Sequence, residues 1–207
     1  MEAVRQAIAL PVLERHGVTL TLKREDLLFP LLSGNKFRKL KYNLRHAREQ
    51  GYTTLLTFGG AFSNHLHATA EAGKHYGFRT IGVVRGEELA GKPLNPTLAS
   101  ARENGMQLEF VSRDTYRRKA EPSFKRSLLD RFGPVYILPE GGTNALAVRG
   151  CEEILGEGDR GFTHICCPVG TGGTLAGLAR SATPEQKVLG YPAIRAEGLE
   201  TEMRSWI

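Results

Sequence analysis

The chain has 207 residues, 41% of them hydrophobic and 24% charged, the composition of one globular domain or two small ones with enough apolar residues for a buried core. No run approaches the ~18 consecutive apolar residues of a membrane span, and the start Met1-Glu2-Ala3-Val4-Arg5 lacks the apolar core of a secretory signal, which argues against a membrane protein and points to the cytoplasm. A net charge of +6 raises the question of nucleic acid, but the basic residues fall at helical spacings through Arg38, Lys39, Lys41, Arg45 and Arg48 and again through Arg113, Arg117, Arg118 and Lys119, so solvated helix faces account for them better.

In chain order, Ser33 to Leu40 joins a small flexible turn to what reads as a helix start. After Lys23-Arg24-Glu25-Asp26 the sequence alternates short β-branched or apolar runs with helical stretches, the order of βαβ units in an α/β fold. Strands are predicted at 53–58, 80–84, 107–111, 135–138, 164–168 and 187–191. Helices are predicted at 63–76, 95–104, 114–131, 144–155 and 174–181. Gly77 and Gly105 stand where left-handed helix caps belong, and Asp114 is a candidate N-cap. The stretch Arg85 to Pro96, with Gly86, Gly91, Pro93 and Pro96, reads as a surface connection, with a mobile cover over the site as the functional alternative.

Three cysteines, Cys151, Cys166 and Cys167, are an odd number without metal-ligand spacing, and buried reduced thiols are expected. The histidines His46, His65, His67 and His75 have no Cys or carboxylate pattern around them that would make a metal site, so none is assigned.

Parallel sheets hold ligands at the carboxyl ends of their strands, and two polar glycine-bearing segments directly follow predicted strands. Gly59-Gly60-Ala61-Phe62-Ser63-Asn64-His65 offers hydroxyl, amide and backbone donors at a helix N-terminus, which suits an anion; a serine N-cap without ligand is the alternative. Val169-Gly170-Thr171-Gly172-Gly173-Thr174 brings backbone N–H groups close to one point, either as a phosphate cradle or as a tight turn. Walker and dinucleotide-binding spacings are absent from it. Pro139-Glu140-Gly141-Gly142-Thr143-Asn144 is a further polar turn before a helix. Lys36 is the candidate Schiff-base lysine, since an amine becomes a nucleophile when desolvation or a neighbouring cation lowers its pKa, and Arg38, Lys39 and Lys41 are nearby cations.

Taken together, Lys23-Arg24-Glu25-Asp26-Leu27, Ser33-Gly34-Asn35-Lys36-x-Arg38-Lys39-Leu40, Gly59-Gly60-x-x-Ser63-Asn64-His65, Gly141-Gly142-Thr143-Asn144 and Gly170 to Gly177 resemble, in order and along nearly the whole chain, the fold-type II pyridoxal-phosphate enzymes. The resemblance is to the branch of 1-aminocyclopropane-1-carboxylate deaminases and D-cysteine desulfhydrases. It implies two open sheets with flanking helices, like the tryptophan synthase β subunit, divided into a large cofactor domain (1–50 and 150–207) and a small α/β domain (51–149). It further implies pyridoxal 5'-phosphate as cofactor, held by Lys36, which also moves protons. Ser63 is then a catalytic and carboxylate-binding residue, Asn64 a partner of the cofactor's ring oxygen, and Gly170, Thr171, Gly172, Gly173 and Thr174 the phosphate site, with Ser63, Asn64 and His65 on the substrate. The expected reaction releases ammonia and a 2-oxo acid from a small amino acid, in a homodimer when intact, without nucleic-acid, membrane or metal partners. Family members continue beyond Trp206-Ile207, so the chain resembles a C-terminally truncated member with an incomplete large domain. The alternative is a non-catalytic remnant that binds cofactor or phosphate; a nucleotide-binding α/β domain is disfavoured by the absent spacings.

Overall fold

The computed structural model describes residues 2–29, 32, 34–193 and 198–207. Ser33, the first residue of the Lys36 segment, lies outside them. In chain order the elements are β1 (Val4–Ile8), α1 (Pro11–Arg15), β2 (Leu20–Arg24), α2 (Asn35–Glu49), β3 (Thr54–Gly59), α3 (Asn64–Tyr76), β4 (Arg79–Arg85), α4 (Pro96–Glu103), β5 (Met106–Val111), α5 (Arg113–Arg117), α6 (Pro122–Phe132), β6 (Tyr136–Ile137), α7 (Ala145–Glu152), β7 (His164–Val169), α8 (Gly173–Ser181), β8 (Lys187–Pro192) and α9 (Leu199–Arg204).

Every residue of β3 is buried, as expected for a central parallel strand covered on both faces. It is flanked by β4, which pairs Arg79–Val84 with Thr54–Gly59, and by β6, giving a four-stranded parallel sheet in the order β5-β4-β3-β6. Successive side chains of a strand point to opposite faces. Leu55 accordingly packs with Leu40, Leu44, Ala68 and Ala72 from α2 and α3, while Leu56 and Phe58 pack on the other side with Ile81, Val83, Tyr116 and Leu128. A second parallel pair, β7-β8, carries α8 and α7 through Cys151, Ile154, Val169, Leu175 and Leu178. The antiparallel hairpin β1-β2 was not expected from the sequence. Asp159 fastens it to the region before β7: its carboxylate accepts from Arg5 Nε (2.9 Å), from Lys23 and from the Gly156 N–H (2.8 Å).

The βαβ order therefore stands, with local corrections. The single helix expected at 114–131 is two, because Pro122 cannot continue α5 and instead opens α6 after Glu121 in an extended conformation. Ser112, not Asp114, is the N-cap of α5, its hydroxyl oxygen accepting from the Thr115 N–H at 3.1 Å. Gly77 and Gly105 adopt positive φ at the helix ends as expected. Arg38 and Lys39 leave the solvated face assigned to them: both are 2% exposed. Arg38 forms a forked contact to Glu25 (2.9 and 3.1 Å). Of the three thiols, all free, Cys151 and Cys167 are buried but Cys166 is exposed, since neighbours on β7 face opposite sides. The 85–96 connection contains a short 3-10 turn at Glu87–Leu89. It is anchored at its end where Asn95 donates to the Ala61 carbonyl.

Candidate active site

Gly34, with φ +68, turns the chain into α2, so that Asn35 and Lys36 form its first turn. The Asn35 amide donates to Thr174 Oγ1 (2.7 Å) and its oxygen accepts from Lys36 Nζ (3.3 Å), tying the start of α2 to the start of α8. Burial pushes the Lys36 amine below its ordinary value, with Cys151 opposing the shift. Desolvation, rather than the neighbouring cations, is thus the larger activating influence. Arg38 and Lys41 are instead engaged by Glu25 and Glu153.

One turn further on, Lys39 lies on the same helix face as Lys36. Its ammonium donates to the Gly141 carbonyl (3.0 Å), Thr143 Oγ1 (2.9 Å) and Thr171 Oγ1 (3.2 Å), using all three of its donors. Thr143 and Thr171 are themselves linked, oxygen to oxygen, at 2.6 Å. Lys39 therefore joins α2, the 139–143 turn and the glycine-rich loop. Burial, then the charge of Lys36, pulls its pKa down to about 8.

The glycine-rich loop leaves the end of β7 and enters α8 through Gly172 (φ +76). A Cβ on Gly173 would stand 2.9 Å from Thr143 and 3.3 Å from the Lys39 side chain, so only glycine allows this approach. A cavity of about 50 Å³ opens here, lined among others by Asn35, Lys36, Lys39, Gly170, Thr171 and Thr174. A helix N-terminus, a hydroxyl pair and two lysines make a donor set suited to a phosphate. The cavity matches the phosphate end of a ligand, since whole small molecules occupy ~300–1,000 Å³. Met203 of α9 packs over Gly172 beside it. The residues present thus fit the anionic end of pyridoxal phosphate, and accommodating the ring requires movement beside them.

On the neighbouring loop, Ser63 caps α3, its oxygen accepting from the Leu66 N–H at 3.3 Å and leaving the hydroxyl proton for another partner. Asn64 is exposed. His65, expected on the substrate, is buried in the wall. Its Nε2 lies 2.9 Å from Thr57 Oγ1, which is 3.1 Å from the Leu138 carbonyl. With that hydroxyl donating to the carbonyl, Nε2 carries the proton and Nδ1, which has no partner, is a bare acceptor. Burial first, then the charges of Lys36 and Lys39, hold His65 neutral. Gly142 sits so close that a Cβ there would meet the imidazole. Among the described residues, no group of three or more His, Cys, Asp or Glu side chains is placed to hold a metal.

The structure brings Lys36 and the 170–174 loop around one cavity, while Ser63 and Asn64 stand on the adjoining loop. Sequence reasoning missed the role of Lys39 and the Asn35–Thr174 contact. The i, i+3 spacing of Lys36 and Lys39 was the available signal for the first.

The family model for pyridoxal-phosphate dependent enzymes matches residues 5–206. A Thermotoga maritima protein, whose name assigns it to the 1-aminocyclopropane-1-carboxylate deaminases, is 38% identical over 173 residues, 80% of this chain and 54% of that protein. The bifunctional D-cysteine desulfhydrase/1-aminocyclopropane-1-carboxylate deaminase of Arabidopsis thaliana is 32% identical over 180 residues, 79% of this chain and 45% of its own. The chain spans about half the length of these relatives. Among solved structures, that of an ACC deaminase homologue superposes with a TM-score of 0.80 at 27% identity, covering 100% of this chain and 65% of its own. A threonine deaminase from Solanum lycopersicum shares the fold (TM-score 0.70, 21% identity, 93% of this chain and 51% of its own). With a family model matched over nearly the whole chain, a relative 38% identical over 80% of it, and the fold-type II architecture, the chain belongs to the pyridoxal-phosphate dependent enzymes.

Proposed function

We propose that the chain forms the cofactor-binding part of a pyridoxal-phosphate lyase or deaminase acting on a small amino acid of the D-cysteine or 1-aminocyclopropane-1-carboxylate type, with release of ammonia and a 2-oxo acid, and of sulfide as well where D-cysteine is the substrate. The observation that carries this reading is the desolvated Lys36 amine on the wall of the cavity shared with the Gly170–Thr174 loop. The bound cofactor supplies an electron-withdrawing ring for carbanion chemistry. Lys36 is the amine to which it attaches and the group that moves protons at the reacting carbon. Gly170, Thr171, Gly172, Gly173 and Thr174 hold its phosphate, with Lys39 adding a fixed positive charge. Ser63 would offer its remaining hydroxyl proton to the substrate carboxylate, and Asn64 would hydrogen-bond the cofactor's ring oxygen. His65 acts from the wall, as a neutral support to the Gly141–Gly142 turn. The names of the Thermotoga and Arabidopsis relatives support the substrate class.

This reading also divides the chain into a large domain, 1–50 with 150–207, and a small one, 51–149, in a cytoplasmic homodimer. No helix among the described residues is long and apolar enough to cross a membrane.

One observation favours a second reading, binding without turnover: the cavity of about 50 Å³ holds an anion more readily than a whole cofactor. The test is to add pyridoxal phosphate to the purified chain and assay ammonia and 2-oxo acid from D-cysteine and from 1-aminocyclopropane-1-carboxylate. Turnover that disappears in Lys36→Ala supports the lyase. Cofactor binding displaced by inorganic phosphate, with no turnover of either substrate, supports the second reading.

A further inference from the structure

Two lysines share one face of α2, and burial lowers the pKa of both amines, so desolvation alone does not decide which of them meets an aldehyde. Their hydrogen bonding differs. Among the described residues Lys36 Nζ makes one hydrogen bond, to Asn35 Oδ1 at 3.3 Å, whereas all three donors of Lys39 are engaged. Two of the three acceptors, the Gly141 carbonyl and Thr143 Oγ1, belong to the 139–143 turn. Lys39 is therefore tied only while that turn keeps its place against α2.

A pair of side-chain amides holds it there. Asn43 lies one turn beyond Lys39 on the same face of α2 and is fully buried. Its Nδ2 donates to Asn144 Oδ1 (3.1 Å) and to the Lys39 carbonyl (2.8 Å). Its Oδ1 accepts from Asn144 Nδ2 (2.7 Å) and from the Tyr136 hydroxyl (2.9 Å). Both donors and both lone pairs are thereby used. Asn144 directly follows Thr143 and caps α7, its oxygen also accepting from the Ala147 N–H at 2.9 Å. Further along the same contact a Cβ on Gly150 would stand 2.0 Å from the Arg38 carbonyl, so α7 lies directly against α2 with little room to slide. Apolar side chains of the same shape would fill such a contact at similar stability. What the paired amides add is a fixed register.

We propose that Asn43 and Asn144 are positioning residues that choose between the two amines: by fixing the turn against α2 they keep Lys39 tied to Gly141 and Thr143 and leave Lys36 as the nitrogen that attacks the aldehyde carbon. The inference rests on the lyase reading above for the identity of the aldehyde. In that step the amine nitrogen bonds to the carbon and the oxygen leaves as water, which requires a nitrogen lone pair free of a proton. The Lys39 ammonium, with its three protons donated to three acceptors, has none to offer. Released from two of them, and with a pKa of about 8, it becomes a competitor of Lys36.

The test adds pyridoxal phosphate to the native chain, to Asn43→Leu, to Asn144→Ser and to the double variant, reduces with borohydride, and divides the label between Lys36 and Lys39 by peptide mass spectrometry, with circular dichroism reporting the fold. Serine is itself a good N-cap, so Asn144→Ser breaks the amide pair while α7 stays capped, and it decides the matter if Asn43→Leu does not fold. The expected result is label on Lys36 in the native chain and a share on Lys39 that rises about tenfold in each variant, the effect of losing one net hydrogen bond. The double variant should go no further than either single one, because the two side chains act as a unit. A folded Asn144→Ser protein in which labelling of both lysines falls in proportion, or does not change, would overturn the proposal and leave the lyase reading standing. A native chain labelled at neither lysine would overturn both.

Discussion

The two parallel sheets are built from similar sequence and reach different ends. In the four-stranded sheet, β3 is buried throughout and β4 is buried at all but its two terminal residues, with helices from residues 35–132 covering both faces. In the second sheet, β7 is equally apolar on paper, yet only Cys167 and Val169 are buried, and Leu189 and Tyr191 of β8 stand open to solvent. The difference lies in neighbours rather than in the strands themselves. A strand buries both faces only when its sheet is wide enough and its helices are all present. The candidate site joins the two regions, since Lys39 fastens α2 to the loop of the second sheet and His65 reaches Thr57 of the first.

The largest break in this comparison comes from the well-covered sheet. Leu56→Ala removes a fully buried side chain from β3, and a loss of ~2–5 kcal/mol is expected for such a truncation. Denaturant unfolding measures it, and amide exchange should accelerate across β3 and β4 together.

A smaller and more local loss is expected at the hairpin. Asp159→Asn removes the charge that holds Arg5 and Lys23, with an expected cost of ~1–3 kcal/mol for hydrogen bonds to a buried charge. Exchange should quicken over β1 and β2 while β3 and β4 hold. Burial pushes the Asp159 carboxyl upward, but hydrogen bonds from Lys23, Arg5 and the Gly156 N–H outweigh it, leaving the pKa lowered. The stabilisation is therefore full above the unfolded value of ~4 and lost as pH falls through the lower folded value. An acid titration should release the hairpin in the native protein and have much less effect on the Asn variant.

Smallest in stability but sharpest in function is Lys39→Met. Lys39 has a folded pKa of about 8 against an ordinary lysine value of 10.5. Between these values the unfolded chain binds more protons, so this group makes stability rise with pH over that window. Affinity for inorganic phosphate should move the opposite way, weakening as Lys39 loses its charge above pH 8. The Met variant is expected to flatten both profiles and to bind phosphate about tenfold more weakly, the equivalent of ~1.4 kcal/mol. Calorimetric titration from pH 7 to 10 would check the binding profile; an unaltered phosphate profile in the variant would detach Lys39 from the site.

Much of this was legible because the signals are local. Gly77 had to turn the chain after α3, and the glycine-bearing segments from Gly59, the last residue of β3, and from Gly170, the first after β7, had to lead from strand to helix, so the strand-loop-helix positions of the site came directly from the sequence. Pro122 was an equally local signal, overlooked inside a long helical pattern. The hairpin was not legible: the residue that fastens it to the rest of the fold, Asp159, is 136 residues from Lys23. The same holds for Lys39, whose partners Thr143 and Thr171 lie 104 and 132 residues away. Its burial reverses the ordinary expectation that a lysine on an amphipathic helix faces water.

The central claim is that Lys36, and no other amine, is the group the cofactor reaches. The direct test is to add pyridoxal phosphate to the native chain, reduce with borohydride, and map the labelled lysine by peptide mass spectrometry. The account expects the label on Lys36, competed by inorganic phosphate and absent from that peptide in Lys36→Ala. Label on Lys39, or spread over exposed lysines such as Lys41 without competition by phosphate, would contradict it.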